Sequence, residues 1–283
     1  MPKVIGLGTR GCGVAHELTD YPEYRVYKIG TTLEERGVLV LEEQPDIGAY
    51  EKSIDPNEVS AYLRSIKEGD DVLFVLGGGE AICGAALAIL EQITHATITV
   101  LYICPDRQVC TAVQKRDDKI VFGVLQEYAR SGMFERIYLV DSGIVEELVG
   151  DVAITEYEKS INNFVAYVVA MINYFKNTEP IMGNTSPLQS ISRVGTFGVA
   201  SLDPDKEVRF LFPLRTWQDA HYFYGIPAEQ LEKNSALPRQ IKKQTKKYSL
   251  PDTSVRFSVH PTTFDNIMVL ASLYTKDVQM FPA

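Results

Sequence analysis

The stretch that most constrains this chain runs from Asp70 to Ile93, DDVLFVLGGGEAICGAALAILEQI. Two aspartates lead into Val72-Leu73-Phe74-Val75-Leu76, which is too short for a helix and is composed like a buried strand. Gly77, Gly78 and Gly79 follow, and then Ala81 and Gly84-Ala85-Ala86-Leu87-Ala88-Ile89-Leu90, which predict a helix packed closely on a sheet. A strand, a glycine turn and a helix start present unpaired backbone N–H groups and a positive helix end to an anion. Glycine suits that turn because a Cβ would block both the bend and the approach of a phosphate.

The N-terminus repeats the arrangement. Lys3 to Gly8 reads as a strand, Thr9-Arg10-Gly11-Cys12-Gly13 as a glycine turn, and Val14 to Leu18 as a helix start. Gly6, Gly8 and Gly11 satisfy the dinucleotide pattern G-x-G-x-x-G, which many strand-to-helix turns carry for packing alone. A dehydrogenase would favour an acid at the end of the second strand, Tyr24 to Ile29. Gly30-Thr31-Thr32 stand there instead, with Glu34 a few residues on.

Further strands are expected at Val38 to Leu41, Thr97 to Ile103 and Arg136 to Val140, with helices from Asp55-Pro56 to about Ile66 and over Ile120 to Ala129. Strands alternating with helices imply a mostly parallel sheet. Glu156 to Phe175 is the longest helical pattern, and its wide apolar face predicts burial between layers. NTEPIMGNTSP, residues 177 to 187, breaks that pattern and marks a boundary between a first domain, 1–176, and a second, 188–283. Beyond it, strands are expected at 194–201, 208–212, 255–259 and 267–274, and helices at 228–234 and 237–247, an α+β arrangement.

With 283 residues the chain can form two modest cores, and its 45% apolar and 23% charged content is that of a globular protein. A formal charge of −9 argues against general nucleic-acid binding. No apolar run approaches the roughly 20 residues that cross a bilayer, and MPKVIGLG lacks the layout of a signal peptide. Cys12, Cys83, Cys104 and Cys110 form no CxxC pair and suit a reducing cytoplasm, the expected location. His16, His95, His221 and His260 have no metal-ligand spacing, so no metal site is assigned.

Two glycine turns, a long helix after the last strand of the first domain and a smaller α+β domain together resemble the tubulin/FtsZ superfamily. Gly6 to Gly13 is similar to that family's first glycine loop, and Gly77-Gly78-Gly79 followed by Gly84-Ala85-Ala86 is similar to its signature GGGTGTG and alanine-rich helix. The resemblance implies GTP or GDP as ligand, with room for magnesium beside it, and self-association into filaments. It places Gly8, Thr9, Arg10, Gly11, Cys12, Gly13, Gly77, Gly78, Gly79 and Glu80 around the phosphates. It also sets Asp141 near the base and Asn163 against it.

Two departures qualify this. Glu80-Ala81-Ile82-Cys83-Gly84 stands where the family has Thr-Gly-Thr/Ser-Gly, so a carboxylate replaces hydroxyls beside the phosphate position. At a few ångströms two like charges cost about 1 kcal/mol in water and several in a less polar medium. Glu80 must then point away, hold a metal, or mark a site for something less anionic. The family's acidic loop after the long helix corresponds to residues 182–187, where Asn184 matches its asparagine but no acid follows. General-base help of roughly 10²–10⁴-fold is then missing, and hydrolysis is expected to be weak or lost. No catalytic residue is assigned beyond Asn184 as a candidate.

The expectation is a GTP-binding, filament-forming, structural or adaptor subunit. The rivals are an NAD(P)-dependent oxidoreductase of Rossmann type and an interaction module with a vestigial pocket, which Glu80 favours. A strand tip filled by side chains would count against nucleotide binding. The basic run Arg239, Lys242, Lys243, Lys246 and Lys247 reads as a solvated helix face or as a docking surface for an acidic neighbour.

Overall fold

The computed structural model describes residues 2–32, 37–183, 188–203, 205–247, 249 and 252–281. Asn184 therefore lies outside the described residues, as does Glu34. The chain divides into two compact units, Met1–Tyr167 and Val168–Ala283.

Unit 1 alternates strands and helices: β1 (Lys3–Leu7), α1 (Gly8–Glu17), β2 (Arg25–Gly30), β3 (Leu39–Val40), α2 (Ile47–Ser53), α3 (Pro56–Leu63) and β4 (Asp71–Gly77). A 3-10 turn, Ala81–Ala85, then leads to α4 (Ala86–Glu91), β5 (Thr97–Cys104), α5 (Ala112–Ser131), β6 (Arg136–Asp141), α6 (Ser142–Val149) and the start of α7 (Tyr157–Lys176). The strand order is β3-β2-β1-β4-β5-β6, and every pairing is parallel. Every residue of β1 is buried, as a parallel sheet covered on both faces requires. Register places Leu7 opposite Leu76 and Gly77 opposite Ile103, so both glycine segments emerge from neighbouring tips on one edge.

Local chemistry sets the helix starts. Asp46 and Asp55 cap α2 and α3 by accepting from the amides of Ala49 and Asn57 at 2.9 and 2.8 Å. α5 begins eight residues earlier than Ile120, because Thr111 and Gln114 form a capping box. The first glycine segment is no loop, since α1 starts at Gly8 and takes Gly11 and Gly13 into its body. The segment after Gly79 begins as a 3-10 turn before α4.

The division between units falls within α7, the long helix expected over 156–176. In unit 2 the strands are β7 (Met182–Gly183), β8 (Val194–Ala200), β9 (Arg209–Phe210), β10 (Asp219–Pro227), β11 (Ser254–Thr262) and β12 (Met268–Thr275), with α8 (Ala228–Lys233) and α9 (Leu237–Lys247) between β10 and β11. Their order, β8-β12-β10-β11-β7 with β9 on β8, is antiparallel except for the parallel pair β10 and β11. Tyr222, Tyr224 and Ile226 of β10 pack with Leu237 and Ile241 of α9, which lays that helix on the sheet. The central strand β10 was not expected from the sequence. Eight of its nine residues are buried and give no two-residue alternation.

Candidate functional site at the strand tips of unit 1

α1 opens against a disadvantage. Its N-cap residue is Leu7, whose side chain cannot accept a hydrogen bond, so the first amides need a partner from elsewhere. Glu80 supplies it from the neighbouring tip. Its Oε2 accepts from the Thr9 amide at 2.7 Å and its Oε1 from the Arg10 amide at 3.1 Å. A carboxylate at a helix N-terminus also meets the positive end of the helix dipole. Gly8 holds φ +74, and a Cβ there would stand 2.6 Å from Glu80 Oε2, so only glycine leaves the carboxylate its place.

The other residues of this segment pack. A Cβ on Gly11 would collide with the Val75 carbonyl, and one on Gly13 with the Asn162 side-chain amide. The Cys12 thiol donates to the carbonyls of Gly6 and Ile29 at 3.3 and 3.4 Å. Arg10 crosses above Gly77 and directs its guanidinium to the first turns of α7. Nη1 lies 2.6 Å from Glu158 Oε2 and donates to Asn162 Oδ1 at 3.1 Å. Asn162 is buried against the glycine helix, whereas Asn163, the residue the resemblance sets against a base, is exposed.

The second glycine turn meets a different acid. A Cβ on Gly78 would fall on Asp118 Oδ1 and the Tyr102 hydroxyl, so the turn is pressed against a buried polar pair. Asp118, with no solvent exposure, accepts from Tyr102 at 2.7 Å and pairs with Arg107 at 2.8 Å. Burial pushes its carboxyl up to about 6, against the opposing pull of Tyr102 and Arg107. Gly79 takes φ +79 and Gly77 accepts from the Cys83 thiol at 2.9 Å. Burial, then Glu80 and Asp118, raise that thiol well above its ordinary range, which removes it as a nucleophile. Asp141 ends β6 and caps α6, accepting from the amides of Gly143 and Ile144 at 2.9 and 3.3 Å, and burial raises its carboxyl.

The structure thus brings Gly8 to Gly13, Gly77 to Glu80 and Asn162 to one group of neighbours. Asp118, Tyr102 and Arg107 belong to the second turn and escaped the sequence reading, as did Asn162. Thr111-x-x-Gln114 was the readable signal that α5 starts early enough to carry Asp118 to the turn. As arranged, these residues do not fit a nucleotide's phosphates. The amides that would receive one hold Glu80, and Asp118 adds a second acid at the next turn.

The unit 1 sheet with its glycine segments, the long α7 and the mixed sheet of unit 2 define the tubulin/FtsZ fold. No family model matches the sequence, and no curated protein does. Among solved structures, the chain is similar to CetZ2 from Haloferax volcanii in a GTPγS-bound protofilament, at 15% identity and TM-score 0.75, covering 96% of this chain and 92% of that one. It is similar to an empty FtsZ dimer from M. jannaschii at 12% identity and TM-score 0.70, covering 97% and 88%. It also matches TubZ of Bacillus thuringiensis serovar israelensis in GDP-form protofilaments, at 14% identity and TM-score 0.72, covering 97% and 85%. Among the described residues no helix is long and apolar enough to cross a membrane.

Proposed function

We propose that this protein is a filament-forming or structural subunit of the tubulin/FtsZ fold whose assembly does not depend on guanine-nucleotide turnover. One observation carries the reading: Glu80 occupies the amides of Thr9 and Arg10. A phosphate entering there must break two hydrogen bonds to an ionised acceptor and sit beside that acceptor's charge. The site then binds GTP or GDP weakly, and hydrolysis is weak or lost. The assembly half of the reading is supported by the protofilament and filament structures among the similar folds. We place its work in the cytoplasm.

The test is nucleotide extraction and calorimetry on purified protein, with Glu80→Ala beside the wild type. Protein free of GTP and GDP, with weak titration by GTP that Glu80→Ala strengthens at least tenfold, supports the proposal. Stoichiometric GTP or GDP in the wild type, turned over at the rate of an ordinary filament GTPase, overturns it. A second reading, in which GTP or GDP with magnesium is the resident ligand and Glu80 swings aside, is favoured by the in-register pairing of Leu7 with Leu76. That pairing brings both glycine segments to adjacent tips. Tight wild-type binding without turnover would select it.

A further inference from the structure

α5 turns one face inward and one to water. Asp118, Phe122, Leu125, Gln126 and Ala129 are buried, and the opposite face carries Val113, Ile120, Val124 and Tyr128 at 36–56% exposure. Steps of seven, four and four residues set these four along one flank of the helix, so they form a strip rather than scattered singles. Gly123 stands beside the strip in mid-helix, where glycine is among the poorest formers. In α1, Gly11 and Gly13 answer contacts too close for any Cβ. Gly123 answers none, since a Cβ there would meet nothing within 4 Å. The packing of this chain has no use for glycine at 123, but a backbone crossing that face closely from outside does.

The charges around Gly123 select that backbone. At about 100° per residue, Ile120 and Val124 lie to one side of Gly123 and Lys119 to the other. Lys119 is exposed, and among the described residues no carboxylate pairs with it. Glu127 is also exposed and pairs with Arg130 at 2.6 Å, a surface pair of little worth in water. Lys119 lies four residues before Gly123 and Glu127 four after it. A second α5 crossing antiparallel at Gly123 therefore sets Lys119 level with Glu127 of the other copy, twice, and lays apolar flank on apolar flank. A parallel crossing would set Lys119 level with Lys119 and apolar flank against charged flank. Arg116 and Arg130, which the antiparallel crossing brings level, each hold an acid of their own in Asp117 and Glu127.

We propose that two copies of this chain pair through α5 about a two-fold axis at Gly123. The contact is isologous and saturates at two chains, so it goes beyond the assembly reading above and does not depend on it. Helix axes pack about 8–10 Å apart, and Cα atoms lie about 2.3 Å from each axis. Facing glycines reach the short end of that range, with their Cα atoms about 4–5 Å apart. A contact confined to one helix pair falls at the low end of interface sizes, so pairing depends on concentration.

The test is cross-linking of the full chain with the thiol oxidant diamide, in a Cys110→Ser background, read on a denaturing non-reducing gel. That readout is the same whether or not filaments form. Gly123→Cys should link to its mate, because a disulfide joins Cα atoms about 4.4–6.8 Å apart. Ser131→Cys stands eight residues from the axis, which puts its mate about 24 Å away, and should stay unlinked. Linking at both positions means a parallel pair or chance collision and overturns the proposal, as does linking at neither. Gly123→Gln separates pairing from folding. At a dilution that keeps the wild type monomeric its melting midpoint should rise, since glutamine is the better helix former. At high concentration it should lose the pairing that sedimentation velocity shows for the wild type. Lys119→Glu and Glu127→Lys should each weaken pairing severalfold, and the two together should restore it. A Gly123→Gln protein that melts lower or pairs like the wild type, or a charge swap that restores nothing, refutes the two-fold contact and leaves the assembly reading standing.

Discussion

The strand tips of unit 1 and the histidines of unit 2 hold polar groups in different ways. At the strand tips of unit 1, acids are held close to bases and amides: Glu80 on the amides of α1, Asp118 on Arg107, Glu158 on Arg10. Unit 2 has a buried pair of its own, Asp219 with Arg256 at 3.0 Å, but at its histidines it buries a neutral chain. His221 and His260 both approach the Ser258 hydroxyl through Nε2, at 3.0 and 2.9 Å, and His260 Nδ1 lies 3.0 Å from the Thr178 hydroxyl. Thr178 donates to the Phe175 carbonyl, which fixes every direction upstream. His260 donates to Thr178, Ser258 to His260, and His221 to Ser258, and both rings are neutral. The contrast separates helix amides satisfied by an acidic side chain from an interior clasp of neutral donors and acceptors. It also gives the units opposite responses to acid.

The largest expected effect is in unit 2. Burial first, then Arg256, Lys176 and His260, depress His221 to about 3, and burial also lowers His260. An unfolded histidine takes its proton near pH 6.5, but folded His221 refuses it until about pH 3. This contribution to stability is therefore complete above pH 6.5 and is lost as pH falls towards 3, by roughly 5 kcal/mol in total. Thermal melting from pH 7.5 down to 4 should show the fall. His221→Gln keeps a donor for Ser258 without titrating, and should flatten this acid limb relative to its own midpoint at pH 7.5. An identical limb in the variant would refute the assignment.

Unit 1 should answer with the opposite sign. Folded Asp118 keeps its proton up to about pH 6 while the unfolded carboxyl loses it near 3.8. Its neutral form is the favoured one in the fold, so this contribution is full below pH 3.8 and is lost as pH rises through 6. The cost is about 2–3 kcal/mol before any relief from the partly exposed Arg107. Asp118→Asn should remove this slope and leave the protein at least as stable as the wild type at pH 7.5. A variant strongly destabilised at that pH would mean that the ion pair with Arg107 outweighs the burial.

What could be read in advance follows the same division. The strand–glycine–helix units and α7 were legible, because each is written in contiguous residues with a clear period. The partners of the glycines were not. Glu80 lies 71 residues from Thr9 in sequence, and only the register of β1 on β4 joins them. Asn162 and Asn163 differ by one step on α7, a rotation of about 100° that decides which one meets Arg10. The segment Gly8 to Gly13 read as a loop because glycine disfavours helix. Contacts of Gly11 with Val75 and of Gly13 with Asn162, too close for any Cβ, override that propensity. The aromatic strand β10 was hidden by burial on both faces, which erases the alternation that exposes an edge or half-covered strand.

Glu80 is where the unit 1 half of the comparison can be sharpened most, and its effect on stability is the smallest. As a cap that accepts two amides of α1, it contributes about 1 kcal/mol. Glu80→Ala should thus lower the melting midpoint by roughly 2–4 °C. Glu80→Gln retains one acceptor and sheds the charge, and should fall between. The informative measurement is the midpoint with added inorganic phosphate. If the carboxylate stands in for a bound anion, phosphate should raise the midpoint of Glu80→Ala towards the wild-type value and leave the wild type unmoved, because ligand binding adds stability only where the amides are vacant. A wild type that phosphate stabilises as much as the variant would mean that the amides of Thr9 and Arg10 are not the anion site. A variant that phosphate cannot rescue would reduce Glu80 to an ordinary cap, and the two units would then differ only in the sign of their response to acid.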